Sequence, residues 1–207
     1  IGMTFAGAGW AAVAVAEFVR ELVGEGRRVV LYGWHRAVYD IWMESFDAVI
    51  DHRRIRYAMI TGSETAATKT ANVAAFTAPG SDIGVLIVSL RAGAGMDGLQ
   101  HVCSTVVFGE LDWSPKVHDQ CTTRLDRDGQ KESVQAFFCA AKVGIDPIMV
   151  DVCGAKRRQS GPMMDPDQFF DAELLEGGAP EDLTKRIAES VLAGDLLRER
   201  EVDDVGA

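Results

Sequence analysis

Apolar and polar positions alternate along this chain in two rhythms. Five short runs rich in Val, Ile, Phe and Tyr read as strands: 27–33 (RRVVLYG), 55–61 (IRYAMIT), 83–90 (IGVLIVSL), 104–110 (STVVFGE) and 133–140 (SVQAFFCA). Several lack alternation, the pattern of strands covered on both faces. Between them, 11–23, 36–47, 64–77 and 115–125 carry apolar residues at helical spacing. Strand and helix therefore take turns, which predicts an α/β domain with a mainly parallel sheet and right-handed crossovers. Ser63 is the expected N-cap of the third helix, which stops before the Pro79-Gly80 turn. Past Pro147 one more helix is expected, about 147–158, ending in Lys156, Arg157 and Arg158. A linker-like stretch, 160–168 (SGPMMDPDQ), leads to a last amphipathic helix, about 181–200, with Leu183, Ile187, Val191 and Leu192 on one face.

Composition narrows the class. At 207 residues, 47% hydrophobic and 25% charged, the chain suits one medium-sized domain with a short appendage, and excludes a disordered, collagenous or coiled-coil protein. No window holds the roughly 18–20 apolar residues that cross a bilayer, and the opening IGMTFAGAGW lacks the basic start of a signal peptide. The expectation is a cytoplasmic or otherwise intracellular protein with no membrane partner. The first residue is Ile1 rather than Met, so the chain is expected to be a piece of something longer. The net charge of −10 is unevenly spread: residues 1–159 hold 17 basic and 18 acidic side chains, residues 160–207 hold 4 and 13. The main domain is thus near neutrality and has room for a basic face.

The four cysteines (Cys103, Cys121, Cys139, Cys153) and four histidines (His35, His52, His101, His118) form no metal-ligand spacing, so no metal site is expected, and the thiols read as buried and free. No GxxxxGK(S/T) occurs, nor a nucleophile elbow or HExxH. Two glycine patterns suggest a dinucleotide. GAGWAA (7–12) precedes a helix, but its third Gly is Ala12 and the next strand ends in Gly33, Trp34, His35 and Arg36 without the acid that holds an NAD ribose. GAGMDG (93–98) leaves only six residues between Gly98 and Thr105, too few for a packed crossover helix. An NAD(P)-binding oxidoreductase remains an alternative resting on GAGWAA.

The segment 120–130, QCTTRLDRDGQ, is the most informative. Arg124 and Arg127 stand three residues apart, which on a helix places two guanidiniums on one face beside Gly129, a device for gripping a polyphosphate. The other reading is a solvated helix end in which they pair with Asp126 or Asp128.

This segment resembles motif VI of the Swi/Snf-type helicase-like ATPases of superfamily 2, Gln-Ala-x-x-Arg-x-x-Arg-x-Gly-Gln. Upstream, ELDWSP (110–115) is similar to the family's Trp-Asn-Pro element, with Ser114 for Asn, and SLRAGAGMDGLQ (89–100) to motif V, with departures at Ala94, Asp97 and Gly98. VVLYGWHRAVYDIW (29–42) and ITGSETAATKTANVAAF (60–76) resemble motif IV and the helix after it, and GIDPIMVDVCGAKRRQ (144–159) the brace-like helix after motif VI. These six segments follow the family's order, and VVFGELDWSP is most like the annealing-helicase branch with its bacterial and phage relatives, which implies a bacterial or phage origin.

The resemblance implies a RecA-like (P-loop NTPase-like) parallel sheet sandwiched by helices over 1–159, with 160–207 a linker and acidic helical tail. It implies the C-terminal motor lobe of a DNA-dependent ATPase, a helicase-like translocase whose ATP and Mg²⁺ are bound mainly by a first RecA-like lobe absent from this chain. This half alone would be inactive. Arg124 and Arg127 take the catalytic places, Arg127 as the finger on the γ-phosphoryl. Gln120, Gly129, Gln130 and Gly93 fall at the nucleotide. Ser89, Arg91, His35, Arg36 and Trp113 fall at sequence-independent DNA contacts, although Trp113 equally suits core packing. A non-catalytic DNA-binding module of the same fold is a further alternative, against which the intact arginine pair argues.

Overall fold

The computed structural model describes residues 2–5, 8–50, 54–92, 96–141 and 145–164. Six strands form one parallel sheet: β1 (Gly2–Phe5), β2 (Val29–Gly33), β3 (Arg56–Ile60), β4 (Ile83–Ser89), β5 (Thr105–Phe108) and β6 (Gln135–Ala141), in the spatial order β1-β6-β5-β2-β4-β3. The helices are α1 (Ala8–Gly24), α2 (Arg36–Asp47), α3 (Ala66–Thr77), α4 (Pro115–Thr122) and α5 (Asp146–Met164). A single 3-10 turn, Leu99–His101, is the only helical structure described between β4 and β5. All five expected strands are present, and β1 is an addition whose four residues were too short a run to stand out.

Period-two alternation divides each central strand between two cores. Val29, Leu31, Val85, Ile87, Val107, Phe137 and Cys139 face one cluster, which α1 and α2 cover with Val15, Val19, Leu22, Trp42 and Phe46. Val30, Tyr32, Leu86, Val88, Val106 and Phe108 face the other, closed by Val73 and Phe76 of α3 and by Leu99, Cys121 and Leu125. Both faces being covered explains why the strands read as unbroken apolar runs.

Trp42 is fully buried and fixes the carboxyl end of the sheet. Its Nε1–H donates to the Ala12 carbonyl at 3.1 Å. Its ring lies so close to Gly33 and Gly109 that a Cβ at Gly33 would stand 2.7 Å from Cη2, and one at Gly109 would collide outright. Strand β2 therefore ends in glycine, and glycine follows the adjacent β5, because an indole occupies the space a side chain would need.

Three local expectations shift. Helix α3 starts at Ala66, and its N-cap is Thr65, whose hydroxyl accepts the Thr68 N–H at 3.2 Å, rather than Ser63. Ser63 is held back because Glu64 turns onto the Thr61 N–H and hydroxyl, both at 2.6 Å. Helix α4 ends at Thr122, three residues before the expected 125. There the Thr122 and Thr123 hydroxyls bond back to the carbonyls of His118 and Gln120, and Leu125 turns inward to full burial. Helix α5 runs on to Met164, past the expected end at 158 and into the stretch expected to be a linker from 160. The acidic segment with its 181–200 helix lies outside the described residues.

Candidate functional site

In an open parallel sheet the loops at the carboxyl ends of the strands converge, and ligands gather there. Here the four loops after β2, β3, β4 and β5 are tied to one another by side chains distant in sequence. Glu110, just beyond β5, accepts the backbone N–H groups of Trp34 and His35 at 2.6 and 2.8 Å with one oxygen. Its other oxygen takes His35 Nδ1 at 2.6 Å. A carboxylate only accepts, so Nδ1 carries the proton. From β4, the Arg91 guanidinium lies over the Trp34 ring, 4.2 Å from its centroid. Arg36 opens α2 and reaches Ser63 Oγ, beyond β3, at 3.4 Å.

Ser89 sits at the end of β4, paired in register with Gly33, with its side chain near the phenol of Tyr39. Burial pushes the Tyr39 phenol up to about 12, against the lowering effect of the neighbouring Ser89. Trp113 is half-buried, and its carbonyl accepts Lys156 Nζ at 2.7 Å, which ties the Trp-Ser-Pro turn to α5. Four candidates, Ser89, Arg91, His35 and Arg36, thus come together on one edge, with Trp113 in the loop that Glu110 begins.

The nucleotide candidates form a second group. Beyond α4 the chain makes a series of turns through 123–129, so Arg124 and Arg127 do not share a helical face as the spacing predicted. Arg124 turns inward, close enough to Tyr32 and Cys121 to favour their ionised forms. Arg127 stays on the surface; its Nε donates to the Thr123 carbonyl and its Nη1 to Asp97 Oδ1, each at 3.1 Å. The expected pairing with Asp126 or Asp128 is thereby replaced by one with Asp97, itself a departure from the family's motif V.

Gly129 has φ of +93°, and any Cβ there would strike the His101 ring, so glycine is required twice over. Gln130 serves as an internal staple: Nε2 donates to the carbonyls of Cys103 and Leu125 at 2.9 and 3.1 Å, while Oε1 accepts the N–H groups of Lys131 and Glu132. It holds the arginine loop against the segment leading into β5. Gln120 lies apart on the exposed side of α4, in a groove of about 460 Å³ with Ser114, Pro115, Asp119, Thr123 and Lys156. Gly93 lies outside the described residues.

The remaining chemistry is structural. Burial raises the thiols of Cys103 and Cys121 to about 11 and that of Cys139 to about 12, which leaves them protonated and unreactive. His118 is buried between Phe108 and Phe138, and its Nε2 accepts the Asp112 N–H at 3.0 Å. Among the described residues no three His, Cys, Asp or Glu side chains gather as a metal site, and no helix is long and apolar enough to cross a membrane.

The dinucleotide alternative is not favoured by the topology. A dinucleotide-binding unit needs its first two strands side by side, whereas β1 pairs with β6 and is separated from β2 by β6 and β5. Glu110, at a suggestive distance from GAGMDG in sequence, is occupied by the Trp34–His35 amides.

Sequence reasoning missed Trp34, Glu110 and Asp97 as members of these groups. The available signal was position: Glu110 ends an expected strand, where parallel topology brings loops together.

The architecture is that of a RecA-like α/β lobe. Its fold matches the crystal structure of the C-terminal part of the Fun30 ATPase domain with a TM-score of 0.63, over 89% of this chain and 54% of that one, at 16% identity. No protein-family profile matches the chain. In sequence it is 28% identical over 137 residues to the SWI/SNF-related matrix-associated actin-dependent regulator of chromatin subfamily A-like protein 1 of Bos taurus, covering 66% of this chain and 14% of that protein. It is 28% identical over 179 residues to nuclear protein STH1/NPS1 of Saccharomyces cerevisiae, 86% of this chain and 13% of that protein. It is 32% identical over 121 residues to the chromatin-remodeling ATPase INO80 of Emericella nidulans, 58% of this chain and 7% of that protein. The chain is thus similar in sequence to Swi/Snf-type ATPases and shares its fold with the C-terminal part of one such ATPase domain. It spans about one seventh or less of these relatives. All three are eukaryotic, which lends no support to the expected bacterial or phage origin.

Proposed function

We propose that this chain is the second motor lobe of a DNA-dependent ATPase that translocates on duplex DNA, with 1–159 forming the lobe and 160–207 a linker and acidic tail. The observation that carries the reading is the arginine loop at 124–130, stapled by Gln130 and turned by Gly129, within a chain homologous to Swi/Snf-type ATPases.

In this reading ATP is the substrate and lies between this lobe and a first lobe elsewhere in the complete protein. Arg127 reaches across to the γ-phosphoryl, where charge spreads over the oxygens in the transition state, and Arg124 supports the same phosphates. Gln130 and Gly129 shape that loop, Gln120 precedes it on α4, and Gly93 is assigned to the same nucleotide. The donor set here is cationic, which fits phosphate oxygens and does not fit Mg²⁺, so the metal falls to the first lobe. Arg127 must exchange Asp97 for phosphate, and its solvent-exposed pairing makes that exchange cheap. Ser89, Arg91, His35, Arg36 and Trp113 form the DNA face, whose contacts go to the backbone and carry no sequence preference. Lobe closure on ATP then couples the two groups.

The test is ATP turnover by the complete protein that carries this chain, with and without duplex DNA. Strong stimulation by DNA of any sequence is expected, with no turnover by residues 1–207 alone. Turnover by the isolated chain near that of a typical motor would overturn the two-lobe reading.

A further inference from the structure

We infer that Glu110 and Trp34 build a platform that presents Arg91 to the phosphate backbone of DNA, which makes them positioning residues for DNA binding. The inference rests on the reading of the carboxyl edge as the DNA face and goes beyond it by saying what makes that face rigid.

Arg91 is exposed, and a free arginine on a surface samples many rotamers, all of which must be given up on binding. Here the guanidinium is already placed over the Trp34 ring. The placement follows from the sheet: Gly33 and Ser89 are register partners, and the Gly33 carbonyl accepts the Leu90 N–H at 2.9 Å, so Trp34 and Arg91 leave adjacent strands side by side. Trp34 is itself packed against the core cluster that includes Tyr32 and Phe108.

Its backbone is pinned by Glu110, whose side chain is only 18% exposed and which takes the amides of both Trp34 and His35. The loop cannot turn the indole away without leaving that carboxylate short of donors. Among the described residues no carboxylate stands within ion-pair distance of Arg91, and none accepts a hydrogen bond from it. A cation held by stacking, with its N–H donors unspent, is prepared for an external anion. Arg36 and His35 differ, since the one reaches Ser63 and the other is committed to Glu110.

The reading makes an electrostatically counterintuitive prediction. Removing a negative charge from a surface that meets DNA ordinarily tightens binding to a polyanion. If Glu110 acts by holding Trp34, removing it weakens binding instead. The experiment measures duplex-DNA affinity of the complete protein by fluorescence anisotropy across a salt series, with a melting curve for each variant.

Arg91→Ala should flatten the slope of log affinity against log salt by about 0.9, one phosphate contact. Glu110→Ala and Trp34→Leu should each weaken binding about two- to fivefold, as expected for loss of an exposed stacked cation. Trp34→Phe should restore most of it, and adding Trp34→Leu to Arg91→Ala should cost nothing more. Where Trp34→Leu fails to fold, Glu110→Ala and Trp34→Phe still decide. If Arg91→Ala flattens the slope but Glu110→Ala tightens binding or leaves it unchanged, the platform is wrong and the DNA face stands. If neither Arg91→Ala nor Arg36→Ala changes the slope, the DNA face is wrong and the platform falls with it.

Discussion

The carboxyl edge of the sheet and the arginine loop beyond α4 are built on opposite plans. The edge draws its residues from four segments, and Glu110 joins the β5 loop to amides about 75 positions earlier in the chain. The arginine loop takes its working residues from one stretch of eleven, 120–130, and among the described residues its surface arginine is tethered by a carbonyl and an exposed aspartate. The edge is preset, whereas within the stapled loop the side chain of Arg127 is only weakly held. In the proposed motor lobe the difference is physically sensible, because a backbone contact gains from rigidity while a finger must move in and out of a closing cleft.

The largest expected effect lies on the mobile side. In the complete protein, Arg127→Ala should cut kcat by about 10³-fold or more while changing ground-state nucleotide affinity far less. Lysine should rescue poorly, since an ammonium lacks the planar fork. Near-normal turnover with a lowered melting temperature would make Arg127 structural and erase the functional half of the comparison.

On the rigid side the effect should appear in stability. Gly109→Ala drives a methyl into the buried Trp42 ring and should cost about 1–3 kcal/mol, read as a shift in the denaturation midpoint. Gly129→Ala in the other region meets the movable His101 ring as well as a φ of +93°, and should cost about 1–2 kcal/mol. Combining it with His101→Ala should recover the part due to collision and leave the backbone part. Equal penalties at Gly109 and Gly129, unaffected by His101→Ala, would show the loop to be as tightly packed as the edge.

How legible each region was in the sequence follows from the same contrast. The arginine loop is contiguous, so its Arg, Arg, Gly and Gln could be read directly, and the resemblance to a motor family hung on it. Even there, the spacing of Arg124 and Arg127 misled, because Leu125 and the two threonine hydroxyls end the helix early. The strands were legible because both faces are covered, which makes the runs conspicuous. The edge was only half legible. His35, Arg36, Ser89 and Arg91 could be singled out one by one, but a contact such as Glu110 to the Trp34 and His35 amides depends on strand order, which periodicity does not encode. Thr65 displaced Ser63 as a cap for a comparable reason, a local competition in which Glu64 takes Thr61 first.

A smaller effect should separate two carboxylates by the sign of their pH response. Burial raises the Asp146 carboxyl above its usual range, even though it accepts the Ala141 N–H at 2.7 Å. Ionising it therefore costs stability as pH rises. Asp146→Asn, which keeps an acceptor for that N–H, should leave the melting temperature at neutral pH unchanged or raise it. Glu64 is shifted the other way: burial would raise it, but the Thr61 hydroxyl and the backbone amides outweigh burial and hold it low. Its contribution is present above the unfolded-state value and lost as pH falls through the lowered one. Glu64→Gln should thus lower melting at neutral pH and matter less in acid, and the same sign for both variants would refute the assignment.

The smallest effect is the one that tests the mobile plan itself. Asp97 is 89% exposed on its side chain, so its pairing with Arg127 is worth at most about 1 kcal/mol, and Asp97→Asn should scarcely move the melting temperature. Its consequence for turnover depends on what the pair does. If Asp97 merely meets the guanidinium when no phosphate is present, releasing Arg127 removes a weak competitor, and kcat/KM for ATP should stay the same or rise by up to about fivefold, the equivalent of that 1 kcal/mol. If instead Asp97 aims Arg127 at the γ-phosphoryl, releasing it scatters the finger among rotamers, and kcat should fall while ATP affinity holds. Measuring both parameters on Asp97→Asn and on Asp97→Asn with Arg127→Ala resolves the matter, because in either case the substitution should have no effect once the arginine is gone. A fall in kcat that persists in the double variant would mean that Asp97 acts through some other group, and that the loop is not governed by this pair.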